Sequence, residues 1–325
     1  MSGRSLRVVF FGAADFAVPC LIALLEAGHQ VLAVVTQPDK PSGRGRHVTP
    51  SPVKLAAVEH GLPVLQPRRV RSESFISRMR DLAPDVLALA AFGQIVPQAL
   101  LDLPPLGPIN VHGSLLPKYR GAAPIQRALM AGEQETGVTT MWMDATLDTG
   151  DILLKAVVPI AAEDNAGTLF TKLSTAGAAL LVETLDGLAD GSIARRKQND
   201  TEATFAPALQ PEDGWIRWEE SAEAIGNRIR GVTPRPGAFA LMAGKRVKIW
   251  SASVAESAAA AVPPGTIVGF SKRPAGLLVA AGDGSTLLVL EAQPENGKRM
   301  PADAWARGLR LAPNSRFEHL PVEPV

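Results

Sequence analysis

The sequence predicts a Rossmann-like α/β domain with a parallel sheet, followed by a small β-barrel. Three observations carry that prediction. Short apolar runs alternate with amphipathic stretches through the first half of the 325 residues. A polar stretch containing RRKQNDTEAT then interrupts the pattern. Beyond it, short strand-like runs follow one another between Gly, Pro and Asp turns.

Residues 6–11 are an almost continuous apolar run ending at Gly12, as a strand buried on both faces reads. Residues 16–27 place Val18, Leu21, Ile22, Leu24 and Leu25 mostly at helical spacing, with Gly28 as the C-terminal cap. The alternation continues with a strand at 31–35, a helix at 53–60, a short strand at 63–65, a helix at 74–82 and a strand at 86–91. Strand and helix repeated in this way imply a parallel sheet with right-handed crossovers. Strand-like segments at 137–143 and 152–159 precede a long amphipathic stretch at 168–188. Residues 1–190 are therefore expected to form the catalytic domain and 191–208 a linker, on their polar composition. Residues 209–325 hold one helix at 222–231 and five short strands, which predicts a barrel or sandwich.

Composition sets limits. Hydrophobic residues at 46% and charged residues at 20% describe an ordinary globular chain. A net charge of +1 excludes a uniformly basic surface, so any nucleic-acid contact must be local. The single cysteine, Cys20, reads as a buried apolar side chain, and no Cys/His cluster suggests a metal site. The start lacks the pattern of a secretory signal and no apolar run approaches the ~20 residues of a membrane span, so a cytoplasmic protein is expected. After the first strand the chain reads Gly12-Ala13-Ala14-Asp15, without the further glycines of a dinucleotide fingerprint.

The segment with most chemistry in it runs from Ile109 to Pro124. If Ile109–Val111 ends a strand, Asn110 and His112 fall on one side of it. A carboxamide that donates to a developing oxyanion and an imidazole that exchanges a proton near neutral pH meet two needs of acyl transfer. Such a pair at a strand end is more often a turn feature. Here Gly113-Ser114 forces a turn, Pro117 stiffens it and Arg120-Gly121 follows, at the sheet edge where open α/β folds bind ligands. Asp144, Asp148 and Asp151 share a later Gly-containing loop. Turn roles suit Asp144 and Asp151, Asp148 has the option of orienting His112, and spacing alone does not choose among the three.

The segment N-x-H-x-S-L-L-P-x-Y-R-G-x-x-P, with the D-x-G-D-I loop after it, resembles the folate-dependent formyltransferases. The resemblance implies a catalytic triad of Asn110, His112 and Asp148, a donor of the 10-formyltetrahydrofolate type lying against Ser114, Leu115, Leu116 and Pro117, and no metal. The loop from Thr36 to Lys54 is similar to the insertion by which members acting on initiator methionyl-tRNA grip the acceptor stem, which makes Lys40, Arg44 and Arg46 its tRNA contacts. Positive charge on a Gly/Pro-rich segment suits phosphate contact, although a solvated basic loop is the commoner meaning of such charge. The second half resembles the family's C-terminal domain, an oligonucleotide-binding-type barrel, with Lys245, Arg246, Lys248, Lys272, Arg273, Lys298 and Arg299 as basic candidates. The family's G-T-P-x-F is G-A-A-D-F here, Arg235 replaces a common Trp, and Ala208 stands where a Lys is usual. The expected activity is formyl transfer to the methionine amine of initiator methionyl-tRNA, for translation initiation. The alternatives are formylation of an amino sugar nucleotide, and an RNA-binding protein on a degenerate enzyme fold.

Overall fold

The structure, a computed structural model, describes residues 5–42, 47–256 and 262–318. The chain divides into two compact units: Met1–Pro124, Glu135–Pro159 and Phe170–Ala206 form the first, and Ile125–Gln134, Ile160–Leu169 and Pro207–Val325 the second. The stretch expected as a linker therefore groups with the first unit as far as Ala206. Its backbone is tied there, since Arg196 and Ile152 exchange hydrogen bonds of 2.8 and 2.9 Å.

The first unit starts with β1 (Arg7–Gly12), α1 (Val18–Glu26) and β2 (Gln30–Val35). The short pair β3 (Lys40–Ser42) and β4 (His47–Thr49) comes next. Then follow α2 (Pro52–Glu59), β5 (Val64–Leu65), α3 (Glu73–Leu82), β6 (Val86–Ala90), α4 (Gln98–Leu101) and β7 (Pro108–His112). Helix α5 (Pro124–Met130), which groups with the second unit from Ile125 on, precedes the hairpin strands β8 (Glu135–Trp142) and β9 (Ile152–Pro159), and α6 (Ala166–Asp190) follows, in the first unit from Phe170 on. Seven strands make one sheet in the order β5-β2-β1-β6-β7-β8-β9. Pairing is parallel through β7 and antiparallel from β7 to β9, so the expected parallel sheet acquires an antiparallel end. The physical reason at β8 and β9 is loop length: residues 143–151 are too few for the dozen or so that a parallel crossover needs.

Burial follows the two-sided reading of the first strand. Val8, Val9, Phe10 and Phe11 are all fully buried, and each such side chain contributes roughly 1.5–3 kcal/mol relative to exposure. Phe11 meets Phe75 of α3 and Phe92 edge to face, at centroid distances of 6.5 and 5.2 Å. Helix α6 covers the other face, with Gly177 against Val111 and the Thr184 hydroxyl 2.7 Å from that of Thr140. Strand order reverses between β1 and β6, the kind of switch point at whose carboxyl strand ends open α/β sheets bind ligands.

The second unit holds α7 (Ala222–Val232), β10 (Ala238–Met242), β11 (Lys245–Val254), β12 (Ile267–Lys272), β13 (Ala275–Ala280), β14 (Thr286–Pro294), β15 (Met300–Pro301) and α8 (Ala302–Gly308). Its antiparallel sheet runs β10-β11-β14-β13-β12. Residues 314–318 bridge both edge strands: the Asn314 amide donates to the Ile267 carbonyl and the Glu318 amide to that of Leu241, both at 2.9 Å. Each edge strand is thereby engaged at that point by the chain itself. Trp218, Ile225, Ile249, Leu287 and Phe317 are among its core residues, and Trp218 stacks on Phe317 at 4.8 Å. Among the described residues, no helix is long and apolar enough to cross a membrane.

Candidate active site

Strand β7 sets the site. Its register pairs Asn110 with Met141 and His112 with Thr139, while Val111 faces Thr140 and α6. Directly paired residues share a face, so Asn110, His112, Thr139 and Met141 lie together on the side away from α6. Met141 also joins Leu116 and Ile152 in a small buried cluster.

The chain leaves β7 through the turn at Ser114–Pro117, and Thr139 builds that turn. Its buried hydroxyl donates to the Ser114 carbonyl at 2.7 Å and accepts from the Leu116 amide at 3.1 Å. Ser114 has no exposed surface and spends its own hydroxyl on the Lys118 carbonyl at 2.6 Å, while Leu116 is fully buried. Of the four residues assigned to the folate donor, Leu115 is the one with part of its side chain exposed. Ser114, Leu116 and Pro117 act as the frame beneath it.

His112 is 6% exposed and Asp148 8% exposed. The imidazole Nε2 lies 3.0 Å from the Tyr119 carbonyl. A carbonyl can only accept, so this partner places a hydrogen on Nε2. The other ring nitrogen, Nδ1, is 3.7 Å from Asp148 Oδ2, a charge contact longer than a hydrogen bond. Asp148 Oδ2 instead accepts from the Gly121 amide at 2.9 Å.

Asp148 holds a left-handed backbone, φ +55, a conformation that costs a non-glycine residue on the order of 1–3 kcal/mol. Gly150 follows because any Cβ there would collide with the Trp142 carbonyl. The neighbouring Asp144 accepts from the Thr146 amide and from the Thr149 hydroxyl, as a turn residue does. Asn110 is half-buried, and among the described residues its carboxamide has no hydrogen-bond partner. The face therefore carries one uncommitted polar donor beside a buried imidazole and carboxylate.

Of the tRNA candidates, Arg44 and Arg46 lie outside the described residues. Lys40 is exposed and donates to Gln37 Oε1 at 2.8 Å. Lys54 binds Asp39 at 2.6 Å and, with Gln66, holds that carboxyl below the usual carboxylate range, so its charge is already met. In the second unit, Arg246 covers the Phe239 ring at 4.1 Å, and Lys248 and Arg299 stand 5.7 and 5.1 Å from that of Trp250. Arg299 also pairs with Glu291.

Sequence reasoning passed over two residues here. Thr139 sits in a strand where its hydroxyl looks incidental, and Gln198 lies in the polar stretch expected as linker. Gln198 is 6% exposed and donates to the Asp148 and Gly150 carbonyls at 2.9 and 2.7 Å. Neither carries a pattern signal, because one hydroxyl or amide among polar neighbours produces no periodicity.

Comparison with known proteins gives the family of the chain and its fold. The formyl transferase family model matches residues 6–185, and that of the formyl transferase C-terminal domain matches 208–310. A methionyl-tRNA formyltransferase of Geobacter metallireducens is 47% identical over 97% of this chain and 99% of its own. Among solved structures, an N-formyltransferase from Helicobacter canadensis in complex with folinic acid and dTDP-3-aminofucose superposes with a TM-score of 0.64 at 19% identity, over 90% of this chain and 100% of its own. HypX from Aquifex aeolicus in complex with tetrahydrofolic acid superposes with a TM-score of 0.61 at 16% identity, over 94% of this chain. The chain spans about half the length of HypX, 47%. At those identities the two structures show a shared fold.

Proposed function

This chain belongs to the formyl transferase family, and on that premise we propose that it moves the formyl group of 10-formyltetrahydrofolate to the amino group of methionine on initiator methionyl-tRNA. The observation that carries the chemistry is the uncommitted Asn110 carboxamide on the same strand face as His112, with Asp148 beside the imidazole. In the reaction the amine nitrogen bonds to the formyl carbon and the bond from that carbon to N10 of the folate breaks. The amine loses a proton and N10 gains one. Asn110 donates to the formyl oxygen as it takes up negative charge, a role in which one donor typically accounts for about 10²–10³ in rate. With Nε2 already carrying a hydrogen toward Tyr119, the nitrogen left to accept the amine proton is Nδ1. The Asp148 carboxylate next to it stabilises the charge gained, and the same nitrogen then returns a proton to the leaving group.

The donor is assigned to the turn at Ser114, Leu115, Leu116 and Pro117. The acceptor stem is assigned to the segment bearing Lys40, Arg44 and Arg46, and further tRNA contact to residues 209–325, with 1–190 as the catalytic part. Full-length likeness to methionyl-tRNA formyltransferases at 47% identity supports tRNA over an amino sugar nucleotide, for which the likeness is one of fold. A role in translation initiation agrees with the cytoplasmic protein expected from the sequence. The test is incubation with 10-formyltetrahydrofolate and either initiator or elongator methionyl-tRNA. Formylation of the initiator alone is expected, and donor consumption without formyl-methionine on either tRNA would overturn the assignment.

A further inference from the structure

The loop that carries Asp148 is held from two directions, and both holds converge on one arginine. Its carboxylate accepts from the Gly121 amide at 2.9 Å. Its backbone is gripped by Gln198, whose Nε2 donates to the Asp148 carbonyl at 2.9 Å and to the Gly150 carbonyl at 2.7 Å. Both amide hydrogens of Gln198 are thus used on the residues either side of Thr149. Its Oε1 accepts twice from Arg120, from Nε at 3.1 Å and from Nη2 at 2.8 Å. The arginine, 5% exposed, also donates to Asp200 Oδ1 at 2.8 Å and directly precedes Gly121 in the chain. All four hydrogen-bonding positions of a buried carboxamide are filled, which fixes its orientation.

We propose that Gln198 is a positioning residue, which keeps Asp148 at its distance from His112 by clamping the carbonyls of Asp148 and Gly150 and is itself aligned by Arg120. The proposal rests on the assignment of Asp148 to the reaction given above. Asp148 occupies a strained left-handed conformation, and such a residue stays in place only where its surroundings over-determine it. Gln198 meets that need with donors alone on the loop side. Glutamate at this position keeps the arginine's partner but turns the donor into an acceptor facing two carbonyls. Methionine keeps the length and loses every hydrogen bond.

The experiment compares Gln198→Met and Gln198→Glu with the parent protein in steady-state formylation of initiator methionyl-tRNA, and repeats Gln198→Met in an Asp148→Asn background. The expected result is a fall in kcat of about 10–100-fold in both single variants, the scale set by misplacing a reacting group. KM for tRNA and for 10-formyltetrahydrofolate should stay within about threefold, as for a loss confined to the transition state. In the Asp148→Asn background Gln198→Met should remove little more, because the residue acts through Asp148. Should Gln198→Met fail to fold by circular dichroism, Gln198→Glu, with the Arg120 partner retained, decides. Unchanged kcat in either folded variant overturns the proposal, as does an equal loss with and without Asp148. Full turnover in Asp148→Asn alone would remove the reading of Asp148 itself, and the positioning role with it.

Discussion

His112 Nδ1 and Asp148 Oδ2 stand 3.7 Å apart while the opposite ring nitrogen of His112 is held 3.0 Å from the Tyr119 carbonyl. The imidazole is therefore hydrogen-bonded at Nε2, and Nδ1 faces Asp148 without a hydrogen bond to it. Its one basic position points at a carboxylate whose other contact is the Gly121 amide. In the mechanism proposed above the two strand residues have unequal duties: His112 handles the proton, and Asn110, free of partners among the described residues, meets the oxygen.

Asn110→Ala and His112→Ala should each lower kcat for formylation by about 10²–10⁴, the usual scale for an oxyanion donor or a general acid-base. Asn110→Ala removes no internal hydrogen bond among the described residues and should leave the melting temperature nearly unchanged. Kinetics and thermal melting on the same samples check both points. A melting drop as large as the catalytic loss suggests would assign Asn110 to the fold instead.

The strand face that carries this pair was legible because alternation is a strict period: once residues 109–111 read as strand, Asn110 and His112 had to share a side. The first strand was legible for a similar reason, since only a two-sided burial tolerates four consecutive apolar side chains. Other features lay beyond pattern. The choice among Asp144, Asp148 and Asp151 depends on a left-handed φ and on which loop packs against which, and neither leaves a mark on spacing. Gln198 and Arg120 sit in stretches that read as polar loop because their partners are carbonyls and other polar chains far along the sequence. The antiparallel end of the sheet was not read from the sequence, because alternation alone implied parallel pairing, and it is the 143–151 connection, too short for a parallel crossover, that explains it between β8 and β9.

Thr139→Val tests the turn that follows β7. The substitution keeps shape but strips the hydroxyl that serves the Ser114 carbonyl and the Leu116 amide, both in a buried setting. An unsatisfied buried group costs about 1–3 kcal/mol, so urea denaturation should show a loss of that order. Because Leu115 rides on the same turn, KM for 10-formyltetrahydrofolate should rise as well. Unaltered stability would mean that the turn is held by other contacts.

Arg44→Ala and Arg46→Ala address the acceptor. If each side chain meets a phosphate, its removal should weaken tRNA binding at every sequence and flatten the plot of log affinity against log salt by about one unit. KM for the folate donor should not move. Filter binding across a salt series gives the slopes, and slopes equal to those of the parent protein would mark these charges as solvated surface.

Cys20 supplies a pH-dependent stability term of known sign. The side chain is fully buried on α1, and burial pushes its thiol from the ordinary 9.0 up to about 12. A pKa raised in the folded state contributes stability that is complete below the unfolded value. That contribution is lost as pH climbs through the interval, because the unfolded chain ionises first. Cys20 should therefore destabilise the protein between about pH 9 and pH 12, by up to roughly 1.4 kcal/mol for each pH unit. Lysines and the single tyrosine titrate in the same range, so the informative quantity is the difference between the parent protein and Cys20→Ala, measured by denaturant melts from pH 7 to pH 10.5. That difference should be flat to pH 9 and then shift in favour of the alanine variant. At pH 8 a thiol reagent should label the parent protein only as fast as it unfolds, and rapid labelling of folded protein would show that Cys20 is reachable from solvent.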